Sequence, residues 1–266
     1  MTPTVATQPS TVSLLSRKLR IVRTLILREI KLELRTSKLG YLLVLFEPAM
    51  QFAVMFAIFS FVGHRPAFGT SLGLFLATGL VPYFIFMHLA QRTMGAVRSA
   101  RAFAKVPTVS AFDNALARGT LEFLSLVIFT VVIFAILIFL GFAPVPAKPS
   151  VLVAAVLSIG LTAFGVGLVN GVLTHLSRTY ALIWSVLSRS LLFFSGVFYM
   201  PTSLPPVARD IVLWNPILHG VEWLRLGVFA SYPIVSLSQE YLLIWGIGSI
   251  TLGLVLLRVF SGHLLR

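Results

Sequence analysis

The sequence predicts an all-α integral membrane protein: six transmembrane helices, an N-terminal amphipathic interfacial helix, and two short re-entrant helices before the last span. Three observations predict it. Of 266 residues, 58% are hydrophobic and only 11% charged, too little polarity to cover a soluble domain of this size. The apolar residues come in continuous runs of about 20, the length that crosses ~30 Å of hydrocarbon at 1.5 Å per residue. Those runs lack the period-two alternation of barrel strands. The third observation is an asymmetry of charge. Of the 21 Lys and Arg, 17 fall at the N-terminus, in 92–118, in 178–189 and in the tail 258–266, leaving Arg65, Lys148, Arg209 and Arg225 for the other connections. By the positive-inside rule, six spans with both termini in the cytoplasm satisfy every loop.

The elements follow in chain order as one transmembrane domain over 1–266. Residues 1–14 carry neither basic charge nor an apolar core and are expected to be a flexible N-terminus rather than a cleavable signal peptide. Residues 15–38 hold eight Lys or Arg and two Glu, with Leu15, Leu19, Val22, Ile26 and Ile30 recurring at helical spacing. This pattern predicts a helix lying in the headgroup plane. The six-span core covers 40–258, with spans at about 40–62, 72–91, 119–142, 151–173, 181–199 and 240–258, and a cytoplasmic tail at 259–266.

Two connections are unusual. The loop 92–118 is long enough for a short helix ending before Pro107, with Arg98, Arg101 and Lys105 around Phe103. It reads equally as a docking element or as a solvated basic loop. The stretch 200–239 is apolar enough to resemble a seventh span, which would break the charge asymmetry. It crowds Trp214, Asn215, Pro216, His219, Glu222 and Arg225 into one segment, with Asn215 a good helix cap and Pro216 suited to the first helical position. Two short helices dipping partway into the bilayer fit better, since irregular backbone at depth must be packed inside protein. In the fourth span Gly167 and Gly171 form a small-xxx-small step that admits a neighbouring helix.

Chemical motifs narrow the function. No GxxxxGK[ST] occurs, so no nucleotide-cradling loop is expected here; HExxH and GxSxG are also absent, and the five histidines are scattered singly. Cysteine is absent, which excludes disulfides and thiolate metal sites. The net charge of +13 reads as loops touching anionic headgroups rather than as nucleic-acid binding. Most acids sit beside a base, as Glu29 beside Arg28 and Glu222 near Arg225. Glu47 stands out, because it shares a span with Pro48. A mid-membrane carboxylate costs ~2.5–3.5 kcal/mol on insertion scales, so Glu47 is expected to face protein or water and to pair with a basic or amide group on a neighbouring helix. A helix-packing role and a direct substrate role stand level. Arg189, inside the fifth span, likewise demands a partner or water.

Four stretches carry a resemblance: "LILREIKLELRTSKLGYLLVLFEP" (25–48), "TGLVPYFIF" (78–86), "ARGTLE" (117–122) and "WNPILHGVE" (214–222). Together they resemble the inner-membrane permeases of capsular polysaccharide export, type-2 ABC exporter subunits of Gram-negative bacteria. The likeness runs over nearly the whole chain, with one departure: Leu43 stands where an aromatic usually follows "LGYL". The resemblance implies a homodimer working with two copies of a separate ATPase that binds ATP and Mg, no cofactor in this chain, and periplasmic adaptor and outer-membrane export partners. It implies that the cargo is a lipid-linked, usually acidic polysaccharide. It also implies an ATPase-coupling helix over Gly95, Arg98, Arg101, Phe103 and Lys105, and a periplasmic gate over 204–229, including Trp214, Asn215, Pro216, His219, Glu222 and Trp223.

For the substrate, Arg28, Lys31, Arg35 and Lys38 are candidates at the entrance, where phospholipid headgroup binding is the equal alternative. The translocation-path candidates are Glu47, Tyr83, Phe84, Phe86, Arg189, Phe193, Phe194, Phe198 and Tyr199. Aromatic faces suit pyranose rings, although most of the 22 phenylalanines are expected in core or lipid. O-antigen or teichoic acid export is the nearest rival reading. An ion-coupled secondary transporter is opposed by the lack of an internal repeat and of a proton-relay set of acids.

Overall fold

The structure, a computed structural model, describes residues 11–36, 40–100, 109–233 and 236–264, with side chains over 16–32, 45–100, 109–233 and 236–262. Among the described residues every regular element is helical: α1 (Thr11–Thr36), α2 (Gly40–Phe61), α3 (Leu72–Arg98), α4 (Ala111–Phe139), α5 (Pro149–Leu176), α6 (Arg178–Phe194), α7 (Pro206–Val212), α8 (Pro216–Val228), α9 (Gln239–Val259) and α10 (Ser261–Leu264). Four of them, α3, α4, α5 and α9, are long and apolar enough to cross a membrane. The described apolar stretch of α2, Leu45–Phe61, is shorter, and α6 has 17 residues.

Local chemistry sets the helix starts. Ser71, Ser177 and Ser238 cap α3, α6 and α9 by accepting from the backbone three residues on. Ser110 and Asp113 form a reciprocal capping box that starts α4 at Ala111 rather than near 119. Pro149 opens α5 and Pro216 opens α8, where a missing N–H costs nothing.

Helix α3 is the hub. Every residue from Gly73 to Met87 is buried, and α4, α5 and α8 pack around it. Glycines let α5 lie close against it. A Cβ on Gly167 would stand 2.7 Å from the Ala90 carbonyl, and one on Gly171 would stand 2.6 Å from Val97 Cβ, so the small-xxx-small step accommodates α3. On the opposite side of α5 lies α9, with the Thr162 hydroxyl donating to the Leu242 carbonyl at 3.2 Å. The outward faces of α4 and α9 are apolar and exposed, including Val131, Phe139, Ile244 and Val259, as a surface that meets acyl chains must be.

Short helix α8 lies along the first half of α5. Gly220 meets Ile159, Gly227 meets Leu152, and the Lys148 N–H donates to the Gly227 carbonyl at 2.8 Å. Because Ile159 is ten residues into α5, α8 penetrates about 15 Å from that end of the bundle. Helix α9 starts at a similar depth, beside Thr162.

The structure differs from expectation in three further places. The fifth predicted span, 181–199, ends as a helix at Phe194, because 195–200 turns back beneath α8. Helix α3 continues past 91 to Arg98, so Gly95 and Arg98 lie in its last turns instead of in a separate helix; Arg101, Phe103 and Lys105 lie outside the described residues. The buried stripe of α1 is Leu25 and Glu29 flanked by Val22, Ile26 and Ile30, whereas Leu19 is exposed.

Candidate functional site

Down one face of α3, Tyr83, Phe84, Met87, His88, Gln91, Met94 and Arg98 fall at helical spacing, and all line a single cavity of about 860 Å³. Glu47 and Gln51 of α2, Ala181, Trp184, Ser185, Ser188 and Arg189 of α6, and Thr174 of α5 complete its wall. Arg98 and Tyr83 are 15 residues apart, so the groove extends about 22 Å along α3. Its lining mixes amide, hydroxyl, imidazole and charged groups with Phe84, Met87, Met94, Ala181 and Trp184, inside helices that elsewhere turn apolar faces outward.

Glu47 and Arg189 are both exposed to this groove. Among the described residues neither has an ion-pair partner within 4.0 Å. The expected ion pair of Glu47 with a neighbouring helix is not seen among the described residues; its carboxylate has Gln51 one turn away and acts electrostatically on His88 of α3 in the same cavity. Pro48 is buried and α2 runs through it as one helix.

The other path candidates divide. Tyr83 and Phe84 line the groove, and the Tyr83 hydroxyl donates to the Ser188 carbonyl at 3.4 Å. Phe86 does not, being 3% exposed within the core. Phe193 and Phe194 face outward. Phe198 stacks on Phe59 with ring centroids 4.8 Å apart, and Tyr199 contributes its carbonyl to a different site.

That site closes the groove at its far end. One turn beyond Tyr83, Val197 sits so near Gly79 that a Cβ there would stand 2.7 Å from its carbonyl. Segment 194–199 is tied to α8 from two directions. Asn215 donates to the Phe194 carbonyl at 3.1 Å and the Ser195 hydroxyl at 3.0 Å, while its Oδ1 caps α8 at Ile217. Arg225, fully buried, donates to the carbonyls of Val197 at 3.0 Å and Tyr199 at 3.2 Å. Its guanidinium also lies 4.2 Å over the Phe75 ring and 3.7 Å from Glu222, whose carboxylate accepts from the Tyr232 hydroxyl. These contacts serve the two terminal nitrogens, as a buried guanidinium requires, while its Nε is buried with no hydrogen-bond partner among the described residues.

His219 Nδ1 accepts from the Ser238 N–H at 3.1 Å, so Nε2 carries the proton and donates to the Leu213 carbonyl at 2.9 Å. Pro216 starts α8, Trp223 is core, and Trp214 is exposed at the turn between α7 and α8.

At the groove's other end, Arg98 and Gly95 are exposed on α3, and Arg28 and Lys31 are exposed on α1; the side chains of Arg35 and Lys38 lie outside the described residues. Beneath α1, Glu29 is 7% exposed and pairs with Arg118 at 3.0 Å and Arg92 at 3.6 Å, and Arg92 also reaches Glu122 at 3.6 Å. Glu29 is thus paired across helices. Lys18 meets Asp113 at 2.8 Å.

Sequence reasoning missed this cluster and the two donated bonds of Arg225, which join residues far apart in the chain. It missed Gln51, His88 and Gln91 for another reason. Their signal, polar residues on the helix faces of Glu47 and Phe84, was present and unread.

The chain belongs to a family of membrane transporters: the model of the ABC-2 type transporter domain matches residues 20–229. Among curated proteins it is 30% identical over 239 residues to the polysialic acid transport protein KpsM of Escherichia coli, covering 89% of this chain and 92% of that one. It is 26% identical over 242 residues to the capsule polysaccharide export inner-membrane protein CtrC of Neisseria meningitidis, and 24% identical over 242 residues to BexB of Haemophilus influenzae, described in the same words; each match covers 91% of both chains.

Proposed function

We propose that the chain is the membrane-spanning permease subunit of an ATP-driven exporter that moves lipid-linked capsular polysaccharide from cytoplasm to periplasm. One observation carries this reading beyond family membership. A groove about 22 Å long, with Glu47 and Arg189 forming no ion pair among the described residues, lies within a lipid-facing helix bundle. A sugar polymer needs its hydroxyls kept wet, and Arg189 and Arg98 are suited to an acidic one. Capsule export is preferred over O-antigen or teichoic acid export because the named relatives transport polysialic acid and capsule polysaccharide.

The finer architecture follows from the same reading. Six spans in the inner membrane, α2 to α6 and α9, keep both termini and the basic loops cytoplasmic, and α7 and α8 are re-entrant gate helices on the periplasmic side. The roughly 15 Å penetration of α8 supports this, as does its hold on 194–199. ATP and Mg act in a separate ATPase, present in two copies, that docks on the end of α3 and the connection through 105. A second copy of this chain covers the open side of the groove, and periplasmic and outer-membrane partners receive the cargo.

The test is Arg189→Ala, with Arg189→Lys as control, in an encapsulated strain carrying no other copy. Polymer trapped inside the cell by Arg189→Ala, at unchanged membrane abundance and with ATPase co-purifying, is the expected result. Normal surface polymer would remove Arg189 from the path. Export that persists without any ATPase partner would overturn the function itself.

A further inference from the structure

A second cavity, about 470 Å³, lies on the other side of α6, between α5, α6 and α9. Its apolar wall includes Val166, Val169, Ile244, Trp245 and Leu252, and it opens outward where Ile244 is 69% and Leu252 52% exposed. Two features distinguish it from ordinary lipid-facing surface. Asn170, 2% exposed, lines it; its Oδ1 accepts from the Tyr180 hydroxyl, and its Nδ2 is a buried donor with no partner among the described residues. Trp184 lines both this cavity and the polar groove. Only the first half of α6 separates an apolar slot open to the bilayer from a polar channel.

We infer that this slot binds an acyl chain at the lipid end of the exported polymer, while the attached polar chain passes Asn170 and Trp184 into the groove. The inference rests on the export reading above and deepens it by assigning the lipid a seat. Acyl chains gain nothing by leaving the bilayer for an equally apolar slot. Selection must therefore come from a polar contact, and the unsatisfied Nδ2 requires an acceptor oxygen, which the ester or phosphate between chain and sugar supplies.

Gly248 gives the experiment. It lines the slot, and a Cβ added there meets nothing within 4 Å, so the side chain of Gly248→Phe starts in open space and is placed to fill the cavity. Ile247→Phe, on an exposed neighbour, is the control. Native membrane vesicles holding the full chain are photolabelled with two lipids bearing the same diazirine acyl chain, one a glycosylated phosphatidyl lipid and the other phosphatidylcholine. The glycosylated probe is expected to label α6 and α9 about five-fold more than phosphatidylcholine, the worth of one hydrogen bond in a membrane. Gly248→Phe is expected to abolish that excess and Asn170→Leu to remove the preference, with Ile247→Phe unchanged.

In cells, Gly248→Phe is expected to trap polymer inside while protein abundance and ATPase association hold. Equal labelling by both probes would mean that only bulk lipid enters the slot. Gly248→Cys cross-linking to a second copy would make the slot a subunit interface. Either result, or normal export by Gly248→Phe, overturns the lipid seat and leaves the export function standing. Overturning that function takes a different result, normal export in a strain lacking the whole chain or export without any ATPase partner.

Discussion

Arg225 holds a full charge with no exposed surface, and removing it exposes how much depends on each partner. Arg225→Met leaves Glu222 buried with the Tyr232 hydroxyl as its remaining partner and frees the carbonyls of Val197 and Tyr199. Breaking a buried pair from one side costs about 3–5 kcal/mol, so the variant is expected to lose most of its thermal stability in detergent. Arg225→Met combined with Glu222→Gln removes the stranded charge and is expected to recover part of that loss. A double variant no better than the single would show that the carbonyl contacts, rather than the ion pair, dominate. The same substitution tests the closure, because the two carbonyls belong to the segment lying across the groove's end.

Between elements, the contact of α1 with α3 and α4 depends on Glu29 far more than on Lys18. Lys18 is half exposed, and an exposed pair contributes about 0–1 kcal/mol, whereas Glu29 sits buried between two arginines on different helices. Glu29→Ala is therefore expected to loosen α1, seen as faster trypsin cleavage at the basic residues of 17–35 in inside-out vesicles. Lys18→Ala is expected to change little, and equal sensitivity of the two variants would contradict this ranking. The same contact marks how far the sequence could be read. Apolar runs and caps depend on residues within a few positions of one another, so α3, α5, α9 and the start of α8 were legible from hydropathy, from Ser or Asn caps and from Pro216. Partners of Glu29 lie 63 and 89 residues away in sequence, and no periodicity encodes them. The end of α6 at Phe194 did have a local signal: Gly196, just past the Ser195 cap, takes a φ of +68°, a left-handed glycine of the kind that ends helices, and Asn215 and Arg225 then hold the turn from another part of the chain. In the groove, Glu47 and Arg189 were legible as charges in an apolar run, while Phe86, Phe193 and Phe194 could not be separated from Phe84 by composition alone.

For the molecule as a whole, the groove and the lipid-facing surfaces must meet different solvents. Charges at mid-membrane cost roughly 2.5–3.5 kcal/mol each against hydrocarbon on insertion scales, so Glu47 and Arg189 are stable only if water or a second subunit covers them. The outer face of α4, with Ile128 and Val131 exposed, carries no such polarity and faces acyl chains at no cost. Since the chain has no cysteine, single-cysteine variants report these environments cleanly. Gln91→Cys and Ser185→Cys, on the groove wall, are expected to react with a charged, membrane-impermeant maleimide applied to inside-out vesicles, and Ile128→Cys is expected not to react. Protection at Ser185 but not at Gln91 would place a second subunit across α6 while the mouth near Arg98 stays wet. Silence at both positions would mean that the groove is sealed from the cytoplasmic side. In that case cargo could not enter along α3, because a polymer too polar to cross lipid can begin its passage only where water already reaches.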